Sequence, residues 1–344
     1  MQRPKGRYEI ARTAGRLASK SRCHNYHPLT SCLLHMPASA LNEATATVAI
    51  VVTYFPDAGR LMEGLKAILP QVDEVIVVDN GSRVPVLDEI ESMGQVKVLR
   101  LEENCGIAFA QNCGIAWARG LQAGFVLLLD QDSIAGAGMV GLLRQAHDRL
   151  DEAGILVGAV GPARNDGFGA ALPSFTRFQY ARYVQVEAAA EAPAMVCDML
   201  IASGTLIALA VFDKVGTMNE GLFIDKVDTE WCLRVRRAGL LIFGVPGAQL
   251  FHRLGESLLI VTWWRGKRLP VHKPFRYYYM VRNSLLLQRM PGMRWAWRAA
   301  DLSQLLQIIL FHGLLAPNSR LNRQMIWRGL RDGLAAVSGP MPIP

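Results

Sequence analysis

Cysteine and charge are both scarce in this chain of 344 residues. Six cysteines occur, no two of them in a CxxC spacing, and charged residues make up 19% of the chain. So few cysteines argue against a disulfide scaffold or a cysteine-rich zinc site, and they favour reduced thiols packed as small apolar residues. A hydrophobic content of 51% excludes a largely disordered chain.

Three signatures of well-known enzyme classes are also missing. No GxGxxG follows the first apolar run, no GxxxxGK precedes Ser or Thr, and no GxSxG follows a predicted strand. These absences disfavour a dinucleotide-binding Rossmann domain, a P-loop NTPase and a hydrolase with a nucleophile elbow.

Long apolar segments are lacking as well. No run reaches the roughly 18 apolar residues of a membrane-spanning helix, and residues 1–45 have no apolar core followed by a small-residue cleavage site, so no secretory signal is predicted. The longest run is Leu302–Leu315, preceded by Trp295 and Trp297. It is typical either of a helix lying in an anionic membrane surface or of a buried helix in a C-terminal cap.

The positive charge is unevenly distributed. Of the net +8, residues 1–45 carry +5, residues 46–252 carry −8 and residues 253–344 carry +11. An acidic body disfavours a nucleic-acid-binding protein. We expect a flexible basic extension at 1–45, a catalytic domain at 46–260 and a basic helical region at 261–344.

Apolar runs alternate with helical spacings along the body. Such alternation predicts an α/β fold with a doubly wound, mostly parallel sheet. The predicted strands are Val48–Tyr54, Glu74–Val78, Val96–Leu101, Gly124–Leu129 and Leu156–Val160, and the predicted helices are Asp57–Leu69, Gly106–Ala123 and Met139–Leu150.

Polar residues follow the ends of these strands, where ligands bind in open α/β sheets. Asp130 and Asp132 come directly after the fourth strand. Two carboxylates at this position suit Mg²⁺ or Mn²⁺ held against a diphosphate, although Asp-x-Asp by itself is more often a solvated turn.

With these elements in order, the chain resembles the family 2 glycosyltransferases of the GT-A fold, and most of all their rhamnosyltransferase branch. The resemblance runs from about Ala46 to Leu287. It is carried by eight motifs in order: VVTYFP (51–56), VIVVDNGS (75–82), ENCGIAFAQNCGIAWA (103–118), LLLDQDS (127–133), SGTLI (203–207), GLFIDKVDTEWCLRVRRAG (221–239), FHRLGE (251–256) and RYYYMVRN (276–283). Phe55 departs from the family pattern, which often has Asn before the proline.

The resemblance implies an inverting, metal-dependent transferase of L-rhamnose from dTDP-L-rhamnose. The acceptor implied is a lipid-linked saccharide of bacterial surface polysaccharide synthesis, such as O-antigen, met by a cytoplasmic enzyme on the inner face of the cell membrane. Alternatives are a UDP-hexose-dependent transferase of the same fold and a non-catalytic glycan- or membrane-binding module.

The resemblance also implies residue roles. Asp228 is the expected general base, with Asp225 and Glu230 as competitors. The expected metal ligands are Asp130, Asp132 and His252. The expected nucleotide-sugar contacts are Thr53, Tyr54, Asp79, Asn104, Gly106, Asn112 and Asp130, and weaker acceptor or phosphate contacts are Glu230, Trp231, Arg276 and Arg282.

Each role has a structural alternative. Asp79 suits an Asx-turn that closes its strand, and Asn104 suits a helix N-cap. Trp231 suits the core, and Arg276 and Arg282 suit surface charge.

Overall fold

One large sheet organises the molecule. The computed structural model describes residues 45–165, 174–180, 182–189, 192–251, 257–261, 267–316 and 319–342. Within these residues nine strands form a sheet in the order β3-β2-β1-β4-β10-β6-β11-β5, with β9 also paired to β11. These strands are β1 (Thr47–Thr53), β2 (Glu74–Asp79), β3 (Val96–Arg100), β4 (Phe125–Asp130), β5 (Ile134–Ala135), β6 (Val157–Asn165), β9 (Met195–Cys197), β10 (Leu206–Ala208) and β11 (Leu241–Phe251).

Helices cover both faces of the sheet, and two small hairpins stand apart from it. The hairpins pair β7 (Ser174–Gln179) with β8 (Arg182–Glu187), and β12 (Ser257–Val261) with β13 (Lys267–Val271). The helices are α1 (Ala58–Ile68), α2 (Val86–Ser92), α3 (Ile107–Gly120), α4 (Met139–Glu152), α5 (Leu209–Val215), α6 (Val227–Arg237), α7 (Pro274–Gln288), α8 (Trp295–Gln307) and α9 (Ser319–Leu334), with 3₁₀ turns at Leu69–Gln71 and Glu220–Leu222 and a π-helix at Ile308–Leu315.

The continuous apolar runs are explained by burial on both faces of the sheet. In β1, Ile50 packs in the core with α3, while its neighbours Ala49 and Val51 pack in a second core beneath α1 and α4. Successive strand residues point to opposite faces, so a strand buried on both faces needs apolar residues throughout.

The strand order creates the binding crevice. Strands β3, β2, β1 and β4 are all parallel, and the direction of winding changes between β1 and β4. At such a switch point the loops diverge and leave a crevice at the carboxyl ends of the strands. Thr53 and Asp130 end these two strands.

The C-terminal helices form a cap with its own apolar cluster. Tyr277 and Val281 of α7 pack with Leu305 of α8 and Ile326 of α9. The Leu302–Leu315 run comprises the end of α8 and the π-helix, and it has one buried face and one exposed face. Leu305 is 6% exposed, whereas Leu302, Leu306, Leu310 and Leu314 are 45–61% exposed. Among the described helices, none has the length and apolarity to cross a membrane.

The predicted α/β fold with a mostly parallel sheet and C-terminal helices is confirmed. The strands and helices predicted between residues 48 and 160 each occur within a few residues of the expected bounds. The three-part domain division stays a prediction, and residues 1–44 lie outside the described part of the chain.

Candidate active site

A cleft of about 520 Å³ opens at the switch point. Its walls come from the ends of β1, β2 and β4, the start of α3, the segment before β10, the loop before α6, and the start of α7. It brings together eight residues that the sequence predicted as site residues: Thr53, Tyr54, Asn104, Gly106, Asp130, Asp132, Asp228 and Arg276.

The Asp-x-Asp turn is held in place by its neighbours. The residue between the carboxylates, Gln131, accepts a hydrogen bond from the Tyr54 backbone N–H at 2.7 Å. The Ser203 hydroxyl accepts from the Asp130 N–H at 3.2 Å and lies 2.6 Å from the Ser133 hydroxyl. The turn therefore presents Asp130 and Asp132 to the cleft on a backbone fixed at both ends.

Asparagines connect the end of β2 to the start of α3. The Asn80 side chain donates to Asn104 Oδ1 at 3.0 Å and accepts from the Cys105 N–H at 2.9 Å. Asn104 Oδ1 also accepts from the Gly106 N–H at 3.0 Å. Gly106 has φ of +90°, and an added Cβ would lie 2.6 Å from the Phe223 carbonyl oxygen. Only glycine therefore lets the start of α3 approach the loop before α6 so closely.

That loop, Phe223–Lys226, is under backbone strain. Phe223, Asp225 and Lys226 have φ of +64°, +64° and +63°. Left-handed conformations cost non-glycine residues about 1–3 kcal/mol each, and they persist only where the surroundings enforce them.

Two neighbouring residues of α7 hold this loop in its conformation through hydrogen bonds. Asn283 is fully buried, and its amide donates to the carbonyls of Leu222, Ile224 and Asp225 at 2.9, 2.8 and 2.8 Å. Arg282, also fully buried, donates to the Leu222 carbonyl at 2.9 Å and to Asn283 Oδ1 at 2.9 Å. We call Arg282 and Asn283 the loop clamp.

Asp225 and Arg276 form an ion pair on the wall of the cleft. Arg276 donates to the two Asp225 carboxylate oxygens at 3.2 and 2.5 Å. Burial lowers the pKa of Arg276, but the charge of Asp225, with a further contribution from Asp130, raises it on balance. Arg276 is thus a cation fixed by Asp225 that also interacts with the Asp130 carboxylate.

Asp228 lies in the first turn of α6 and lines the same cleft. Burial raises the pKa of its carboxyl, and the Asp225 carboxylate adds to the rise, against hydrogen bonds from Thr229. A raised pKa makes a carboxylate a stronger base, which suits proton abstraction from a hydroxyl.

The competing acid Glu230 lies elsewhere. It is 2% exposed and makes a two-pronged ion pair with Arg234, at 2.7 and 2.8 Å. Asp225, the other competitor, lies in the cleft but is engaged by Arg276.

Four other predicted contacts do not line the cleft. Asp79 is fully buried and accepts from the Ser82 and Arg83 N–H groups at 3.0 and 3.1 Å, which is the Asx-turn alternative. Asn112 accepts from the Met218 N–H at 2.9 Å and holds the loop after α5. Trp231 is in the core, 2% exposed. Arg282 belongs to the loop clamp rather than to surface charge.

Only two of the three predicted metal ligands lie among the described residues. Asp130 and Asp132 both line the cleft, but His252 lies outside the described residues. In the described part of the chain no group of three or more His, Cys, Asp or Glu side chains is arranged to hold a metal. Mg²⁺ binds through one or two carboxylates with substrate phosphates and water as the remaining ligands, and the two aspartates fit that requirement.

Several cleft residues were missed by sequence reasoning. Gln131 and Asn80 stood inside motifs that had been recognised, between or beside the acidic residues. Lys226 also stood inside a recognised motif (221–239), but its side chain pairs with the distant Asp301 of α8. His272 lies outside the motifs, four residues before its partner Arg276, and had no such signal.

Comparison with known proteins agrees with this geometry. Residues 49–192 match the model of glycosyl transferase family 2. The chain is 32% identical over 245 residues to dTDP-rhamnosyl transferase RfbF of Shigella flexneri, covering 70% of this chain and 79% of that protein.

The chain belongs to the family 2 glycosyltransferases. It is accordingly a glycosyltransferase, as the motifs predicted, and its relative is a rhamnosyltransferase.

Solved structures show that this glycosyltransferase has the GT-A fold. S. aureus TarS 1-349 in complex with UDP-GlcNAc aligns with a TM-score of 0.52 and 18% identity, covering 85% of this chain and 82% of that chain. GalNAc-T7 with UDP, GalNAc and Mn²⁺ aligns with a TM-score of 0.51 and 13% identity, covering 88% of this chain, which spans 59% of the length of that chain.

Proposed function

We propose that this glycosyltransferase moves L-rhamnose from dTDP-L-rhamnose to a lipid-linked saccharide with inversion at the anomeric carbon. The observation that carries the proposal is the cleft, where an acidic pair, a fixed arginine and a carboxylate of raised pKa share one space. The rhamnosyltransferase relative supports the choice of donor.

The proposed reaction is a single displacement. Asp228 takes the proton of the acceptor hydroxyl while that oxygen attacks the anomeric carbon. The bond from the anomeric carbon to the diphosphate oxygen breaks, and the electron pair leaves with dTDP. A neutral hydroxyl is a poor nucleophile, and a positioned carboxylate accelerates such a step by about 10²–10⁴-fold.

Negative charge grows on the diphosphate as the bond breaks. Asp130 and Asp132 would hold Mg²⁺ or Mn²⁺, which when bound neutralises charge on the departing diphosphate. Arg276 adds a cation at the same cleft. The strand-end residues Thr53 and Tyr54 and the start of α3 at Gly106 form the proposed nucleotide-sugar contacts.

The proposed enzyme works as a peripheral protein on the inner face of the cell membrane. The exposed leucines of α8 and the π-helix are spaced by four residues, and the Arg-rich helix α9 follows them. Residues 253–344 carry a net +11. Apolar side chains together with a cationic surface favour binding to anionic lipid.

The donor is tested with purified protein in the presence of Mg²⁺ or Mn²⁺. Thermal shifts and donor turnover are compared for dTDP-L-rhamnose, UDP-glucose and UDP-galactose. We expect dTDP-L-rhamnose to give the largest shift and the fastest turnover. A preference for UDP-glucose or UDP-galactose would instead indicate a UDP-hexose-dependent transferase. An absence of metal-dependent nucleotide binding would favour a non-catalytic glycan- or membrane-binding module.

Two variants test the residue roles with that donor. Asp132→Ala should weaken metal-dependent donor binding, and Asp228→Asn should keep donor binding while losing turnover. Full turnover in either variant would exclude the role proposed for that residue.

A further inference from the structure

A second cavity, of about 270 Å³, adjoins the active-site cleft. The two share Asp225 and Lys226 as walls. On one side the second cavity is bounded by the β7–β8 hairpin, and on the other by α7, α8 and the π-helix. Thr229, the residue after Asp228, lines it as well. We call it the hairpin cavity.

The charged groups around the hairpin cavity are already neutralised. Lys226 Nζ lies 2.8 Å from the buried Asp301 carboxylate and also 2.8 Å from Gln304 Oε1. Asp225 is paired with Arg276. A phosphate or carboxylate ligand would have to compete with these pairs, so the cavity favours a neutral ligand.

The remaining walls combine amide and hydroxyl groups with apolar surface. Gln185 and Gln304 place amide groups on opposite sides, with Gln185 Nε2 donating to Thr176 Oγ1 at 2.9 Å and Gln304 Oε1 accepting from Lys226. Met199, Met280 and Ile308 supply apolar contacts. A sugar ring presents the same combination, since its hydroxyls both donate and accept and its C–H face is apolar.

We propose that the hairpin cavity binds the saccharide part of the acceptor. The inference rests on the proposed function, because the cavity acquires this role only if Asp228 deprotonates an acceptor hydroxyl. The cavity is lined by Thr229, the neighbour of Asp228, and by no residue of β1 or β4, whose ends line the donor cleft. Gln304 lies on α8, which also carries the exposed Leu302 and Leu306, and this suits an acceptor attached to lipid.

The test fills the cavity from an exposed position. Gln304→Trp adds bulk at the wall of the cavity, and Ser303→Trp adds the same side chain at the exposed neighbouring position that does not line it. Gln185→Trp fills the cavity from the hairpin side and serves if Gln304→Trp does not fold. The probes are octyl glycosides of glucose, galactose, N-acetylglucosamine and rhamnose.

Binding is measured by saturation-transfer NMR and turnover by release of dTDP. We expect at least one glycoside to bind wild type and Ser303→Trp, and the filled variants to lose about tenfold or more in its affinity, the equivalent of one or two good contacts. Donor hydrolysis without acceptor should stay within about twofold in Ser303→Trp, which lines neither cavity.

The outcomes separate this inference from the proposed function. Glycoside binding that persists in the filled variants, or that is absent in wild type, overturns the hairpin cavity as an acceptor site. Glycoside binding that the filled variants abolish, in a protein that turns over no nucleotide sugar, supports the cavity as a saccharide site and contradicts the proposed transferase reaction.

Discussion

Replacing Asn283 with alanine removes the central group of the loop clamp. The Asn283 amide is fully buried and serves three carbonyls, of Leu222, Ile224 and Asp225, and its oxygen accepts from Arg282. Alanine leaves the Ile224 and Asp225 carbonyls and an Arg282 N–H without the partner that Asn283 provides, while the Leu222 carbonyl keeps its bond from Arg282.

The size of the effect follows from the number of groups affected. Each buried polar group left without a partner costs about 1–3 kcal/mol. The Asn283 amide has two N–H groups for its three carbonyl contacts, and an Arg282 N–H also loses its acceptor in the variant. We therefore expect a loss of about 3–5 kcal/mol in the free energy of unfolding. That is a large part of the roughly 5–15 kcal/mol by which a domain is stable.

Turnover should fall as well as stability, even at temperatures where the variant stays folded. The clamp holds the loop in which Phe223, Asp225 and Lys226 have positive φ. Without it the strained residues can relax, and a displacement of about 1 Å at a catalytic group costs on the order of 100-fold in rate. Asp228, two residues beyond Lys226, would move with the loop.

The assay compares Tm with kcat/KM measured well below the unfolding temperature. Asn322→Ala is the matched control, because Asn322 is a buried amide that donates to the His312 carbonyl at 2.9 Å, in the C-terminal cap. It should lower Tm and leave kcat/KM unchanged. Asn283→Asp keeps the size but loses the donors, and should behave at least as badly as alanine. Wild-type turnover in Asn283→Ala would refute the clamp.

Three further predictions address charge, the membrane face and the donor cleft. Because burial raises the pKa of Asp228 in the folded state, keeping it ionised destabilises the native state. Asp228→Asn should therefore unfold at a higher temperature than wild type when the pH is above the raised pKa. The difference should vanish when the pH is below the ordinary value of 3.8. Equal melting temperatures at neutral pH would contradict this. Leu310→Glu should weaken co-sedimentation with anionic phosphatidylglycerol vesicles by about tenfold, whereas Leu156→Glu, at an exposed leucine outside the C-terminal cap, should not; equal binding of both variants would exclude this face. Gly106→Ala should weaken donor binding, measured as a smaller thermal shift with dTDP, because its Cβ meets the Phe223 carbonyl; an unchanged shift would show that the close approach of α3 is not needed.

The parallel half of the fold was predictable because its strands are buried on both faces. Continuous apolar runs such as Val48–Val52 indicate central strands. The order of these strands in the sheet places the switch point between β1 and β4, where Asp130 lies. The β7–β8 hairpin was missed because its turn uses Tyr180 with φ of +48°, where sequence reasoning looks for glycine or asparagine.

The candidate site was predictable where a residue acts from the end of its own strand, as Thr53 and Asp130 do. The site was less predictable where the role of a residue depends on a partner far away in the chain. Arg282 was expected at a phosphate, yet it is fully buried against the Leu222 carbonyl, sixty positions away in the chain. Nothing in the local pattern around Arg282 indicates that contact.

Turnover of dTDP-L-rhamnose by wild type and Asp228→Asn shows whether Asp228 is the general base of an inverting rhamnosyl transfer. With Mg²⁺ or Mn²⁺ present, we predict rhamnosyl transfer with inversion by wild type, and a loss of about 10²–10⁴-fold in kcat for the variant while dTDP binding is retained. Transfer at the wild-type rate by Asp228→Asn, or a product that retains the donor's anomeric configuration, would contradict the account.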